Sequence, residues 1–247
     1  MTTTAYCHAG GMVATDSRWS QRLGRWLVYV DDTGFHKIEV TSTAVFMFAG
    51  LGLRIEEWKR WLRSSPAPSA ATMPGFEGIC ICAVDRKTGE VKICEKMPII
   101  RQEASFGGSG ARFAYSCWDI NKDACRSVDT AKGFDPATGG STMHYSLTSG
   151  ATNLSANSHV FSAQTISDVD KELLSRGIVM DISQTSNPVP FAFSQLAANN
   201  EEVKELQTKI ASGELSAEAP SSEMHSEWTD HEKSRVTKAL GEMFGWN

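Results

Sequence analysis

The run Ala44-Val45-Phe46-Met47-Phe48-Ala49 has no polar side chain in either alternation, so a strand built from it must bury both faces. Such a strand needs one layer above it and another below, which restricts the chain to a layered fold. Gly50-Leu51-Gly52 ends the run. Leu53, Trp58, Trp61 and Leu62 then recur at helical spacing over residues 53–62, with Glu56 and Glu57 early and Lys59, Arg60 and Arg63 late. That pattern predicts an amphipathic helix whose charges complement its dipole.

The surrounding segments alternate between strand and turn signals. Thr2–Cys7, the turn His8-Ala9-Gly10-Gly11 and Met12–Ser17 predict an opening hairpin. Trp26–Val30 and Phe35–Val40 around Asp31-Asp32-Thr33-Gly34 predict a second, and Gly78–Val84 with Glu90–Glu95 around Asp85–Gly89 a third. A strand ending at Phe106 leads through Gly107-Gly108-Ser109-Gly110 into a helix with Phe113, Cys117, Ile120, Ala124 and Val128 on one stripe. Further strands are expected at 141–147 and 158–164, and Ser167 with Asp170 has the form of a capping box opening a helix through Leu174. The compact body, residues 1–195, is expected to be followed by an acidic helical extension, 196–247, with helices at Glu201–Ile210 and 227–246. The order of elements is that of an α+β fold, satisfied by two stacked antiparallel sheets with helices outside.

Composition narrows the function. Of 247 residues 41% are apolar, enough for a substantial core. Residues 201–247 hold ten acids against five bases, leaving nineteen of each in 1–200, so the net charge of −5 belongs to the tail. A neutral body lacks the basic footprint of a nucleic-acid binder. No run approaches the roughly 20 apolar residues of a spanning helix, and the N-terminus lacks the form of a secretory signal, so no membrane association and a cytoplasmic address are expected. The six cysteines are then free thiols. Cys80 and Cys82 share one face of a strand with Cys94 on its partner, and they read as core rather than as metal ligands; no cofactor is expected.

Thr2 follows the initiator Met, and its small side chain favours Met removal. The freed α-amine would titrate near about 8, suited to accept the hydroxyl proton through a water, so one residue supplies both nucleophile and base. A Lys ammonium nearby would depress that amine and stabilise a developing alkoxide, and a carboxylate would hold the Lys charged and oriented.

Five segments, each weak alone but specific in their joint order over residues 2–147, resemble the proteasome β-subunit family of N-terminal nucleophile (Ntn) hydrolases, including its bacterial relatives. Thr2–Tyr6 followed by Gly11–Arg18 resembles the family's first hairpin, which implies a catalytic role for Asp16. His36–Val40 resembles the strand supplying its catalytic Lys, here Lys37. Phe46–Gly50 resembles the next strand and implies that the Gly50 N–H is an oxyanion donor. Ser105–Gly110 resembles the Gly-Ser-Gly turn, passing to Ser109 a hydrogen bond near the terminal amine. Gly133–Gly140 resembles the Asp-x-x-Ser-Gly-Gly loop, with Asp135 matching and Thr138 replacing a serine.

The resemblance implies a four-layer αββα Ntn-hydrolase domain acting as a threonine-type peptidase or amidohydrolase on peptide or protein substrates, with self-association into a homo-oligomer. The tryptophans of residues 53–63 would then line either the core or contacts between copies. Phe244-Gly245-Trp246-Asn247 would dock on a neighbour or on the body. A competing reading keeps the fold as an inactive scaffold that sequesters a partner protein, with the acidic tail engaging a basic surface. A third is a structural subunit of a mixed ring.

Overall fold

The computed structural model describes residues 2–65, 68–155, 163–183 and 188–246. Its strands are β1 (Thr4–Cys7), β2 (Met12–Asp16), β3 (Trp19–Leu23), β4 (Trp26–Val30), β5 (Ile38–Val40), β6 (Ala44–Leu51), β7 (Ile79–Asp85), β8 (Val91–Glu95), β9 (Ile99–Ile100), β10 (Ala104–Gly107), β11 (Thr142–Ser146), β12 (Ile178–Asp181), β13 (Phe191–Ala192) and β14 (Glu218–Ala219). Its helices are α1 (Gly52–Leu62), α2 (Ala111–Asn121), α3 (Ala124–Lys132), α4 (Ile166–Arg176), α5 (Phe193–Ala197), α6 (Glu201–Ala211) and α7 (Asp230–Phe244). The class is α+β, with antiparallel pairing throughout the two sheets.

The smaller sheet has the order β11-β2-β1-β10-β9 and the larger β13-β12-β4-β3-β14-β6-β7-β8, with β5 also paired to β6. The two apolar faces of β6 explain the arrangement. Val45 and Met47 pack with Cys82 and Val84 against Tyr6 and Val13 of the smaller sheet. Phe46 and Phe48 face the opposite way and share a core with Trp58 of α1, Val169 of α4, Leu206 of α6 and Leu240 of α7. On the far side of the smaller sheet, Ala5, Ala14 and Phe106 pack against Ala114, Trp118 and Val128 of α2 and α3. Trp58 and Trp61 are buried, and Trp246 and Phe244 lie edge-on against Trp61, so the chain's end docks on this same body.

Several local expectations are corrected. The second hairpin is β3–β4, turning at Gly24; β5 leaves β4 and pairs with β6. Ser20 and Gln21 are buried polar residues, so β3 has no alternation to reveal it. The stripe drawn through Phe113–Val128 crosses a break, because Lys122 is left-handed and Asp123 caps α3 by accepting the Arg126 N–H at 2.9 Å; Ile120 is left 87% exposed. The capping box is formed by Thr165 and Asp168 rather than Ser167 and Asp170. The strand expected at 158–164 lies outside the described residues up to 162, and Ala163 and Gln164 are not in a strand. Strands β12, β13 and β14 are additional to the elements expected from the sequence, although Ile178-Val179-Met180 after Gly177 carries a strand signal. Cys80 and Cys82 are buried, with Cys82 opposite Cys94 across β7–β8. Among the described residues no helix is long and apolar enough to cross a membrane.

Candidate active site

The opening hairpin sets the first half of the site. Its register pairs Thr4 with Thr15, and continuing it past the strand end puts the Asp16 N–H on the Thr3 carbonyl at 3.2 Å, so the Thr2 and Asp16 side chains meet. The other half comes from the larger sheet. Lys37 immediately precedes β5, its carbonyl accepts the Phe48 N–H at 2.9 Å, and its side chain reaches across to the first hairpin.

Thr2, Asp16 and Lys37 are each at most 1% exposed. The Thr2 hydroxyl donates to Asp16 Oδ1 and accepts from Lys37 Nζ at 2.6 Å. The same ammonium lies 2.9 Å from Asp16 Oδ1 and donates to the carbonyls of Asp16 at 3.1 Å and Arg18 at 2.6 Å. Backbone N–H groups complete the shell of the carboxylate: Thr3 on Oδ1 at 2.9 Å, Arg18 and Gly139 on Oδ2 at 3.2 and 3.1 Å. Burial pushes the Lys37 ammonium below its ordinary range while Asp16 pulls it back up. A hydroxyl held between an ammonium and a carboxylate in a dry site is arranged to lose a proton with the resulting oxyanion stabilised.

The next shell is a hydroxyl chain. Ser109 and Thr138 both donate to Asp135 Oδ2, at 2.8 and 2.6 Å, and Thr138 Oγ1 lies 2.8 Å from Thr3 Oγ1. Ser109, Asp135 and Thr138 are thereby joined to the residue after Thr2. The Gly110 N–H donates to the Thr2 carbonyl at 3.2 Å. Gly108, at φ +79°, allows this approach, since a Cβ there would stand 2.0 Å from the Thr2 oxygen. Gly50 is equally constrained: φ is +124°, a Cβ would meet the Gly78 oxygen at 2.0 Å, and the residue pairs with Ile79 on one side and Ala219 on the other.

Three participants had escaped sequence reasoning. Arg18 closes the floor of the site through Asp31 at 2.8 Å and the Pro136 carbonyl at 2.6 Å, and its guanidinium lies over the Tyr29 ring. Gly139 lets that guanidinium approach, and its place in the recognised Gly-Gly pair was the available signal. Pro220, whose carbonyl accepts the Thr2 N–H at 3.1 Å, comes from the far end of the chain and carries no local signal.

Fold and geometry together define an α+β protein with a buried hydroxyl–ammonium–carboxylate centre where its two sheets meet. No family model and no curated protein matches the chain. Among solved structures it is similar to Thiobacillus denitrificans BPH in complex with epoxomicin, at 11% identity and a TM-score of 0.45, over 58% of this chain and 96% of that one. A likeness of that extent assigns neither an activity nor a residue to this chain.

Proposed function

We propose that the protein is a threonine-type Ntn hydrolase of the four-layer αββα kind, with Thr2 as nucleophile. The observation that carries this reading is the Thr2 hydroxyl lying between Lys37 Nζ and Asp16 Oδ1 with no exposure to solvent. Removal of Met1 frees the Thr2 α-amine. The hydroxyl proton passes to that amine through a water while Oγ1 attacks the substrate carbonyl carbon, and Lys37 offsets the charge left on oxygen. The Gly50 N–H receives the tetrahedral oxyanion, an interaction worth about 3–4 kcal/mol where such donors have been removed. The amine returns the proton to the leaving nitrogen as the C–N bond breaks, leaving an acyl ester on Thr2. Water then cleaves the ester and restores the hydroxyl. Asp16 keeps Lys37 charged and aimed, and Ser109, Asp135 and Thr138 hold the segment that carries Thr2. The site belongs to a 1–195 body completed by a 196–247 extension that inserts β14 into its larger sheet, in a cytoplasmic protein that associates with copies of itself and acts on peptides or proteins.

Intact mass and N-terminal sequencing before and after a peptide epoxyketone test this. Loss of Met1 and one adduct on Thr2, absent in Thr2→Ala, is expected. A retained Met1 with no adduct under any condition overturns the reading in favour of a binding scaffold.

A further inference from the structure

We infer that residues 216–224 form an internal plug, occupying the strand slot beside Thr2 that takes an extended peptide once the plug has left. This rests on the hydrolase reading above and specifies the form of its substrate and what keeps its site closed.

β14 is two residues long and is the only strand contributed by the extension among the described residues. It pairs on both sides, Glu218 with Ser20 of β3 and with Leu51 of β6, and Ala219 with Gly50. Without it, β3 and β6 would turn unpaired edges toward a gap one strand wide, a ready template for another extended backbone. The gap begins where β5 stops: β5 covers Val45–Met47 of β6, Lys37 follows at Phe48, and β14 takes over at Gly50. The slot therefore opens at Lys37 and Thr2. From it the chain runs directly over Thr2, with the Pro220 carbonyl on the Thr2 nitrogen.

What holds the segment is mostly backbone bonding that another peptide can reproduce. Gln21 Nε2 donates to the Ser216 carbonyl at 2.7 Å, and the Ala217 N–H donates to Asp170 Oδ1 at 2.7 Å. Ala217 and Ala219 enter the slot with the smallest side chains available, and Met224 anchors the exit against Ala49 and Cys80. Beside the segment lies a cavity of about 540 Å³, lined by Gln21, Leu27, Pro220, Met224 and His225, which leaves room for the side chains of a displacing peptide.

The test uses the full chain with Met1 removed and follows the rate of epoxyketone adduct formation by intact mass in the parent, Ala219→Pro and Asp170→Ala proteins. Proline disrupts the two-residue strand, and the Asp170 change releases the Ala217 N–H without touching slot or site. Both variants are expected to label about tenfold faster or more, as the open form gains population. Unchanged or slower labelling in both overturns the plug and leaves the hydrolase reading standing. Absence of adduct from all three sinks the hydrolase reading instead, and the plug is then judged by binding. A fluorescent synthetic peptide of residues 214–226 should bind the variants about tenfold tighter than the parent protein. Equal affinity overturns the plug. Asp170→Ala carries both readouts should Ala219→Pro fail to fold.

Discussion

Among the described residues two lysine–carboxylate pairs are buried, and they are built differently. Lys37 and Asp16 are 2.9 Å apart with side chains at most 1% exposed, and the Thr2 hydroxyl sits between them. Lys59 and Glu39 are 3.7 Å apart and nearly as buried, but the third group on Glu39 is the half-exposed guanidinium of Arg63, and Lys59 also donates to the His36 carbonyl. In both, burial pushes the lysine pKa down and the carboxylate opposes it. A buried ion pair is therefore no mark of chemistry by itself. What separates the first is a nucleophilic atom at the common focus of both charges. In the second the partners are fixed charges, a carbonyl and the face of the Phe35 ring, none of them a nucleophile, and the product is a tie between α1 and β5.

The largest expected difference is in reactivity. Lys37→Met should slow epoxyketone labelling of Thr2 by about 10²–10⁴-fold, the usual range for loss of a proton-transfer or charge-stabilising group, whereas Lys59→Met changes it by less than about twofold. Equal losses in the two variants, measured by adduct mass against time, would erase the distinction. Stability should not separate them in the same way. Asp16→Asn and Glu39→Gln each leave a buried ammonium without its counter-charge, and each should cost about 3–5 kcal/mol in denaturant unfolding, yet only Asp16→Asn should also abolish labelling.

A third contrast comes from pH. Lys59 is lowered from 10.5 to about 8, chiefly by burial. Between those values the folded amine is neutral while the unfolded lysine is still charged. The unfolded state then binds more protons, and stability rises with pH, by up to about 3 kcal/mol across the window. Lys37 is lowered by burial as well, so each lysine adds to the rise: Lys59→Met should remove the Lys59 share and keep that of Lys37, and Lys37→Met the converse, as read from urea midpoints between pH 8 and 10.5. The smallest effect is expected at the open end of the second pair: Arg63→Ala should cost about 1–2 kcal/mol, because its charge-assisted bonds to Glu39 are partly replaced by water. A loss as large as that for Glu39→Gln would mean that the guanidinium, not Lys59, is the essential partner.

The features legible in the sequence were those with a local physical cause. Residues 44–49 announced a doubly covered strand because both alternations are apolar, and Val45 and Phe46 do face different cores. The hairpin itself is written in its turn residues, whereas a role for Asp16 beside Thr2 came only from the resemblance; the structure brings the two side chains together with Lys37. Ser109, Asp135 and Thr138, expected at the same place, form a connected hydroxyl chain one residue away. β5 does not pair with β4 as the hairpin pattern implied, because β4 has β3 on one edge and β12 on the other, and β5 pairs with β6 instead. β14 gave only a faint signal: Ser216-Ala217-Glu218-Ala219 alternates over four residues, but alanine and glutamate are weak strand formers, and two residues become a strand only when backbones stand on both sides.

By itself, then, the sequence determined the layered α+β class and the residue types able to activate a hydroxyl. Side-chain periodicity and turn chemistry act over a few residues and are written where they act. The tertiary structure alone decided that Lys37 crosses between sheets to reach Thr2, and that a segment more than two hundred residues away in the chain lies over it. Both depend on backbone hydrogen bonds between distant strands, and every peptide group offers those alike, so no residue name records which partner will take them.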